Sequence, residues 1–202
     1  MKSKYDPFKH HRRSIRLRGY DYTQAGAYFV TMVAHGRECL FGAIAEGGEM
    51  QVNEAGRVVA ECWDALPEHF PNVELDAFVV MPNHVHGIVV IGEDDGDAAA
   101  RRGEAFFVVQ KNASLLHPTQ PTPPRGTQSG SIGAIIQNFK SISTRRINAS
   151  RDTAGAQVWQ RNYYEHIIRD EKSLNAIRDY IAGNPANWAS DDENPINVRV
   201  KA

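Results

Sequence analysis

Apolar residues form two kinds of pattern along this chain, which together predict seven secondary-structure elements. Runs rich in aromatic and β-branched residues, such as Ala27 to Ala34, are typical of strands. Apolar positions three and four apart, such as those from Ala55 to Leu66, are typical of amphipathic helices. Asn53 and Asp170 are predicted to cap two of the helices, and Gly183 to end the last one. In chain order, the predicted elements are strand 27–34, helix 54–67, strands 73–81 and 84–92, helix 131–151, strand 158–168 and helix 171–183.

The order of these elements predicts an α+β protein with a ferredoxin-like fold. In the split βαβ arrangement, β-α-β-β-α-β, two helices cover one face of an antiparallel sheet. The first six predicted elements follow this order, and a C-terminal helix is added to them. The stretch 93–130 differs, since an acidic run is followed by a Pro-rich polar tract, and we expect an insertion that is at least partly flexible. We therefore expect an N-terminal arm, 1–25, and a single domain, 26–202, that contains the insertion.

Composition narrows the partners and the surroundings of the protein. Lys and Arg number 23 against 24 Asp and Glu, but the first 20 residues hold seven basic side chains and one acid, Asp6. Such an arm suits a polyanion such as nucleic acid, although a solvated disordered arm would have the same composition. Two cysteines without a CxxC pair indicate a reducing, cytoplasmic location. The chain has neither an apolar run of the ~18 residues that a membrane span needs nor an N-terminal secretory signal.

Two histidines in the predicted strand 84–92, His84 and His86, are the first candidates for chemistry. Residues two apart in a strand project from the same face, so both imidazoles can hold one metal ion. Two histidines on a half-exposed strand face, without any metal, would give the same pattern. A metal would need at least one further ligand, usually an oxygen. A nitrogen-and-oxygen set without thiolate suits Mn²⁺, Mg²⁺ or Zn²⁺.

A tyrosine and an asparagine on the last predicted helix are the second candidates. Tyr180 and Asn184 lie four apart and so share a face, where Asn184 could give its amide oxygen to the same metal. A phenol, with a pKa of about 10, is a weak nucleophile that a nearby cation could assist in attacking a phosphate. The alternatives are a core tyrosine, or Tyr163 or Tyr164 as the nucleophile. We expect Pro185 to disfavour helical geometry at Asn184.

These residues carry a resemblance to a known family. His84-Val85-His86 matches the His-hydrophobic-His (HUH) signature, and the stretch from Trp159 to Trp188 resembles the C-terminal half of single-tyrosine HUH transposases. The likeness is to the branch of REP-associated tyrosine transposases in particular. It covers most of the chain outside 93–130, and its two separated motifs occur in the family's order.

The resemblance implies an enzyme that cleaves and rejoins single-stranded DNA, often beside the hairpin of a repetitive palindromic element. A tyrosine attacks a backbone phosphate, forms a covalent 5′-phosphotyrosine link and releases a 3′-OH, and no nucleotide cofactor is needed. By position, Tyr180 would be the nucleophile, and His84, His86 and Asn184 would hold the Mg²⁺ or Mn²⁺. Insertion-sequence members commonly have Gln where this chain has Asn184. Those relatives are dimers, whereas the REP-associated branch favours a monomer here, with a dimer as the alternative.

Further side chains are candidates for DNA contact. His166 could contact a phosphate or support the metal site from outside the ligand shell, although a structural histidine is the simpler interpretation. The basic residues predicted to neutralise phosphates lie in the arm and in helix 131–151 and are Arg12, Arg13, Arg16, Arg18, Lys140, Arg145 and Arg146.

Two other functions fit the candidate residues of this chain. One is a catalytically silent nucleic-acid-binding module of the same fold, and the other is a metal-dependent phosphoesterase that uses water.

Overall fold

The computed structural model describes residues 20–93 and 127–200, with side chains described as far as residue 197. Most of the predicted N-terminal arm, including Arg12, Arg13, Arg16 and Arg18, and most of the predicted insertion at 93–130 lie outside the described residues. Two 3₁₀ helices, His35–Arg37 and Pro185–Ser190, accompany the regular elements. These are β1 (Gly26–Val33), β2 (Gly42–Ile44), β3 (Met50–Val52), α1 (Glu54–Asp64), α2 (Leu66–His69), β4 (Val73–Val80), β5 (His84–Ile91), α3 (Ile132–Ser150), β6 (Tyr164–Ile168), α4 (Glu171–Gly183) and α5 (Pro195–Val200).

Four strands form an antiparallel sheet in the order β4-β5-β1-β6. The two strands in the middle, β1 and β5, are buried along nearly their whole length, as their apolar sequences require. With the helices that connect the strands, this order is that of the split βαβ arrangement. The predicted ferredoxin-like fold is therefore confirmed.

Helices cover both faces of this sheet. On one face, α1 and α3 bury their apolar stripes, including Trp63 and Phe139, against Val30 and Val85. On the other face, α4 packs the apolar side of its helix on Phe29 and on its neighbours in β5. Because side chains alternate along a strand, residues 84 and 86 lie on the α4 face, whereas 85 lies on the face of α1 and α3. Asn53 and Asp170 cap α1 and α4 as predicted, each accepting a hydrogen bond from the backbone three residues on.

Gly87, directly after the two histidines, allows β5 and α1 to pack closely. A Cβ atom at this position would lie 2.4 Å from the ring of Trp63 and 3.0 Å from Phe78, two rings that themselves stack with centroids 4.5 Å apart. A side chain at 87 would therefore displace the indole from the sheet. The glycine sets how close α1 comes to the strand that carries the histidines.

The predicted strand 158–168 is too long, since β6 begins only at Tyr164. The segment before it pairs with the chain after β1 only through an isolated bridge between Ala34 and Trp159, and side chains of α3 hold the rest. Lys140 Nζ donates to the carbonyls of Gln160 and Asn162 at 3.0 and 2.9 Å, and the indole of Trp159 donates to Ser143. These bonds hold the segment beside α3, so its apolar residues are buried in the core without belonging to the edge strand.

The hairpin of β2 and β3 and the short helices after residue 184 were not predicted from the sequence. Each of the two strands has only three residues and is at best half-buried, so no alternation of apolar and polar positions marks them. The described helices include none that is long and apolar enough to cross a membrane.

Candidate active site

Two buried imidazoles face each other at the start of β5. The Nε2 atoms of His84 and His86 are 3.0 Å apart, and neither side chain has more than marginal exposure to solvent. Strand geometry brings both rings to the α4 face of the sheet. Bare lone pairs at this distance would repel each other, so either a proton or a cation must lie between the two nitrogens.

Asn83 fixes the orientation of the His84 ring. Its Nδ2 donates to the backbone oxygens of Arg37 and Glu193 at 3.1 and 2.8 Å, which settles which end of the amide is the nitrogen. The amide oxygen therefore faces His84 Nδ1, 2.8 Å away, and must accept its proton. His84 Nδ1 carries the hydrogen, so in the neutral ring Nε2 carries a lone pair directed into the site.

The second ring is held from β1. Thr31 is the ladder partner of His86, and its Oγ1 lies 2.8 Å from His86 Nδ1. Phe29, two residues earlier in β1, stacks on the same imidazole with centroids 5.5 Å apart. A polar group and an apolar ring together keep the Nε2 of His86 turned towards His84, as outer partners of a metal-ligating histidine do.

Both histidines are neutral at pH 7. Burial lowers the pKa of His84 to about 4, and the positive charge of Arg37 acts in the same direction. Burial also lowers the pKa of His86 to about 3, with repulsion from His84 as a further cause. A neutral imidazole is the form that binds a metal ion.

Tyr180 lies on α4, the helix that covers the face of the sheet from which the two histidines project. Its hydroxyl lies 3.3 Å from His86 Nε2, and the side chain is 49% exposed. Arg178, two residues earlier, holds the helix to edge strand β4 through both carboxylate oxygens of Asp76. Burial raises the pKa of Tyr180, and the charge of Asp191 adds to this effect, so the phenol is protonated at neutral pH. The structure thus brings together the tyrosine and the histidines that the sequence indicated.

Asn184 is also at the site, and its backbone corrects one expectation. Its φ and ψ are −61° and −42°, helical geometry despite the following Pro185. The chain tightens here into a 3₁₀ helix, in which Asn184 N donates to Ile181 O, so the helix is continued and not broken. The amide oxygen of Asn184 is buried without a hydrogen-bond partner among the described residues. Such an oxygen is costly to bury unless a ligand satisfies it.

Asp191 completes the cluster and was not predicted from the sequence. Its Oδ2 lies 4.0 Å from His84 Nε2 and 3.3 Å from Asn184 Nδ2. The 3₁₀ helix after α4 folds the chain back so that residue 191 returns beside residue 184. The only signal in the sequence is the acidic run 191–193, which by itself is typical of an exposed loop.

The donor atoms fit a divalent cation. Donors from His84, His86 and Asp191 lie within 4.8 Å of one another. Two ligands at right angles, each about 2.1 Å from an ion, are about 3.0 Å apart, which is the separation of the two Nε2 atoms. The partnerless oxygen of Asn184 can act as a fourth donor. Two imidazole nitrogens with oxygen donors and no thiolate suit a divalent cation such as Mn²⁺, Mg²⁺ or Zn²⁺.

The remaining predicted residues are not gathered at this cluster. His166 is exposed on β6 and pairs with Phe29, which places it on the histidine face of the sheet but two strands away from His86. Lys140, Arg145 and Arg146 belong to α3, on the opposite face. The Lys140 ammonium is occupied by backbone carbonyls, and Arg146 pairs with Glu61.

Comparison with known proteins finds relatives of this chain. No family model matches the chain. An uncharacterized protein of Haemophilus influenzae is 44% identical over 191 residues, which span 95% of this chain and 97% of that protein. A second protein of the same organism, named "Putative REP-associated tyrosine transposase", is 25% identical over 82% of this chain and 73% of its own length.

A solved structure shares the fold. The REP-associated tyrosine transposase bound to a REP hairpin superposes with a TM-score of 0.52 at 19% identity, covering 86% of this chain and 74% of that one. The resemblance to REP-associated tyrosine transposases that the two sequence motifs indicate is thereby confirmed. This chain belongs to one protein family with the uncharacterized Haemophilus influenzae protein.

Proposed function

We propose that this protein is a transposase that cleaves and rejoins single-stranded DNA through a covalent bond to Tyr180. The observation that carries the proposal is the 3.3 Å between the Tyr180 hydroxyl and His86 Nε2, beside a cluster of metal-type donors. A half-exposed phenol can receive a phosphate from solvent while its hydroxyl stays in the site. Two similar proteins are named as REP-associated tyrosine transposases, and one of them is bound to a REP hairpin, which supports the same conclusion.

The reaction is a transesterification at phosphorus. The Tyr180 oxygen attacks a backbone phosphate and loses its proton to solvent, a new bond joins it to phosphorus, and the bond from phosphorus to the 3′ oxygen breaks. The 3′ oxygen takes up a proton from solvent and leaves as a hydroxyl, and the DNA stays attached through its 5′ phosphate. Attack of a 3′-OH on this link reverses the step and frees Tyr180. The link conserves the energy of the bond, so no nucleotide cofactor is required.

The cluster would serve as a binding site for a divalent cation, Mg²⁺ or Mn²⁺. His84, His86 and Asp191 would bind it, with the oxygen of Asn184 as a further ligand, while Asn83 and Thr31 keep the two rings turned inward. When bound, such an ion polarises the phosphate and stabilises the charge that develops on its oxygens. Arg178 and Asp76 keep α4 in place, which holds the nucleophile at the correct distance from the ligands.

A single chain supplies every group of this site. The histidines come from β5, and Tyr180, Asn184 and Asp191 from the segment that follows β6, so no second copy is needed to bring them together. We therefore propose a monomer as the active form, with hairpin or single-stranded DNA as its partner.

A test of the function follows from the covalent link. The full-length protein, incubated with labelled hairpin oligonucleotides and Mn²⁺, should form a protein–DNA adduct that resists denaturing electrophoresis. Tyr180→Phe should remove the adduct and keep DNA binding, whereas Tyr163→Phe, a change at a neighbouring rival, should leave it intact. A silent binding module would form no adduct while still binding DNA. A phosphoesterase that uses water would cleave without an adduct, and either result would refute the proposal.

A further inference from the structure

We propose that the ring of Tyr164 is a stacking platform for a nucleobase of the single-stranded substrate, next to the phosphate that Tyr180 attacks. This inference rests on the proposed function and assigns to the site a residue that binds the substrate without reacting. The ring is part of the edge strand β6, whose outer side is not paired with another strand of the described sheet.

Exposure distinguishes Tyr164 from the other aromatic side chains. Among the Phe, Tyr and Trp residues that the structure describes, only Tyr164 and Tyr180 are exposed, at 47% and 49%. A single exposed aromatic side chain is ordinary on a protein surface, but these two rings both contact Phe29, the ring that stacks on His86. For Tyr180 the exposure serves the proposed reaction, and for Tyr164 we assign it to a partner with a flat apolar face.

Strand register places Tyr164 in the same row as the histidines. Thr31 of β1 is the ladder partner both of Tyr164 in β6 and of His86 in β5. Directly paired residues have Cβ atoms about 4.5–5.5 Å apart and point to the same face. The row Tyr164–Thr31–His86 therefore crosses the α4 face of the sheet, with the tyrosine at its solvent end and the ligand cluster at its inner end.

Phe29 contacts both of the exposed tyrosine rings. It meets Tyr164 edge-on at 6.2 Å and Tyr180 at 6.1 Å, and it stacks on His86. Because the contact between Phe29 and Tyr164 is T-shaped, much of the Tyr164 ring remains free for a base. Stacking on an aromatic ring accepts any base, so the platform requires no particular base at this position.

Polar groups continue along the same strand edge. His166 projects from the same face of β6 as Tyr164. It lines a cavity of about 310 Å³ together with Arg169 and Ser173 and with the acidic side chains of Glu165 and Asp170. A cavity of this size lies at the lower end of the range for small-ligand sites, large enough for one nucleotide unit. The edge of β6 thus offers an aromatic surface followed by polar groups of both charges, of which the Arg169 guanidinium can meet a backbone phosphate.

The test measures binding without cleavage. In a Tyr180→Phe background, Tyr164→Ala and Tyr164→Phe are compared for affinity to a fluorescent single-stranded oligonucleotide, with thermal unfolding to confirm that both variants fold. We expect Tyr164→Ala to weaken binding roughly 5- to 100-fold and Tyr164→Phe to bind as the background does. 2-Aminopurine, placed in turn at each position near the cleaved bond, should be quenched at one position, and Tyr164→Ala should relieve the quenching. An abasic nucleotide at that position should abolish the difference between the background and Tyr164→Ala.

Failure of this inference is distinguishable from failure of the proposed function. If the wild type forms the Tyr180-dependent adduct but Tyr164→Ala binds as tightly as the background, the platform is wrong and the transposase chemistry stands. If Tyr164→Ala and Tyr164→Phe weaken binding equally, the hydroxyl acts and not the ring face, which also refutes the platform. If the protein binds none of the oligonucleotides, both proposals are refuted.

Discussion

Asn83 holds His84 in a single tautomer. The amide donates to two backbone carbonyls and accepts from His84 Nδ1 at 2.8 Å, so the imidazole presents its other nitrogen to the site. One of those carbonyls belongs to Glu193, in the segment that also carries Asp191. A single buried amide therefore connects a histidine of the sheet with the acidic segment that comes over it.

Replacing Asn83 should weaken metal binding. In Asn83→Ala the ring can rotate and take the other tautomer, and we expect Mn²⁺ affinity, measured by calorimetry, to fall about 10- to 100-fold. Thr31→Val, which removes the matching contact to His86 with little change of volume, should have an effect of similar size. Thr23→Val, in an exposed turn, is the control. Unchanged affinity in both site variants would show that these groups do not orient the ligands.

Asp191 should contribute to the metal site more than its acidic neighbours. Asp191→Asn removes the negative charge but keeps the size of the side chain, and we expect a loss of Mn²⁺ affinity of at least about 10-fold, comparable to or larger than the loss at an outer partner. Asp192→Asn serves as the matched control, because Asp192 is outside the cluster of donors. Equal effects of the two changes would indicate a general effect of charge and remove Asp191 from the ligand set.

The ion pair between Arg178 and Asp76 should affect the rate of adduct formation more than stability. A partly exposed pair contributes at most about 1 kcal/mol, so Asp76→Asn should change thermal unfolding little. The change weakens the polar contact between α4 and β4, however, and a displacement of the nucleophile by about 1 Å can slow a reaction up to roughly 100-fold. Single-turnover kinetics at saturating Mn²⁺ would measure this, with Asp179→Asn as the control. A rate equal to that of the wild type would show that the pair does not position Tyr180.

The stability of the metal-free protein should depend on pH through the two buried histidines. In the folded protein the pKa values of His84 and His86 are about 4 and about 3, whereas an unfolded histidine titrates near 6.5. As the pH falls below 6.5 the unfolded chain binds protons first, so the free energy of unfolding decreases until the folded groups also titrate. Chemical denaturation in EDTA between pH 7 and pH 4 should show a shallower decrease in the double variant His84→Gln, His86→Gln. His69→Gln, on the surface, should keep the slope of the wild type, and the same slope in all three would contradict the assignment.

The sequence predicts the strand and the helix that carry the site, but it does not predict the turn that completes the site. Spacing of two in β5 placed His84 and His86 on one face, and helical spacing placed Tyr180 and Asn184 together, because these relations are local. Asp191 comes to the histidines only through the 3₁₀ turn that follows Asn184, and local propensity does not specify where such a turn directs the chain.

The limits of the fold prediction have similar causes. The apolar run from Val158 predicts one long strand, yet its first part makes only an isolated bridge to Ala34, and side chains of α3 hold it in the core, a tertiary contact that no local pattern reveals. Charge alone groups the basic side chains of α3 with the DNA-binding candidates. The apolar stripe of a helix shows that it packs on a sheet but not on which face, and α3 lies on the face away from the histidines.

The most direct measurement of the central claim is the identity of the residue that carries DNA. Wild-type protein, treated with a single-stranded hairpin oligonucleotide and Mn²⁺, is digested with protease and nuclease, and the modified peptide is sequenced by mass spectrometry. We predict a nucleotide joined through its 5′ phosphate to Tyr180. DNA attached to Tyr164 or to any other residue, or cleaved DNA with no modified peptide, would contradict it.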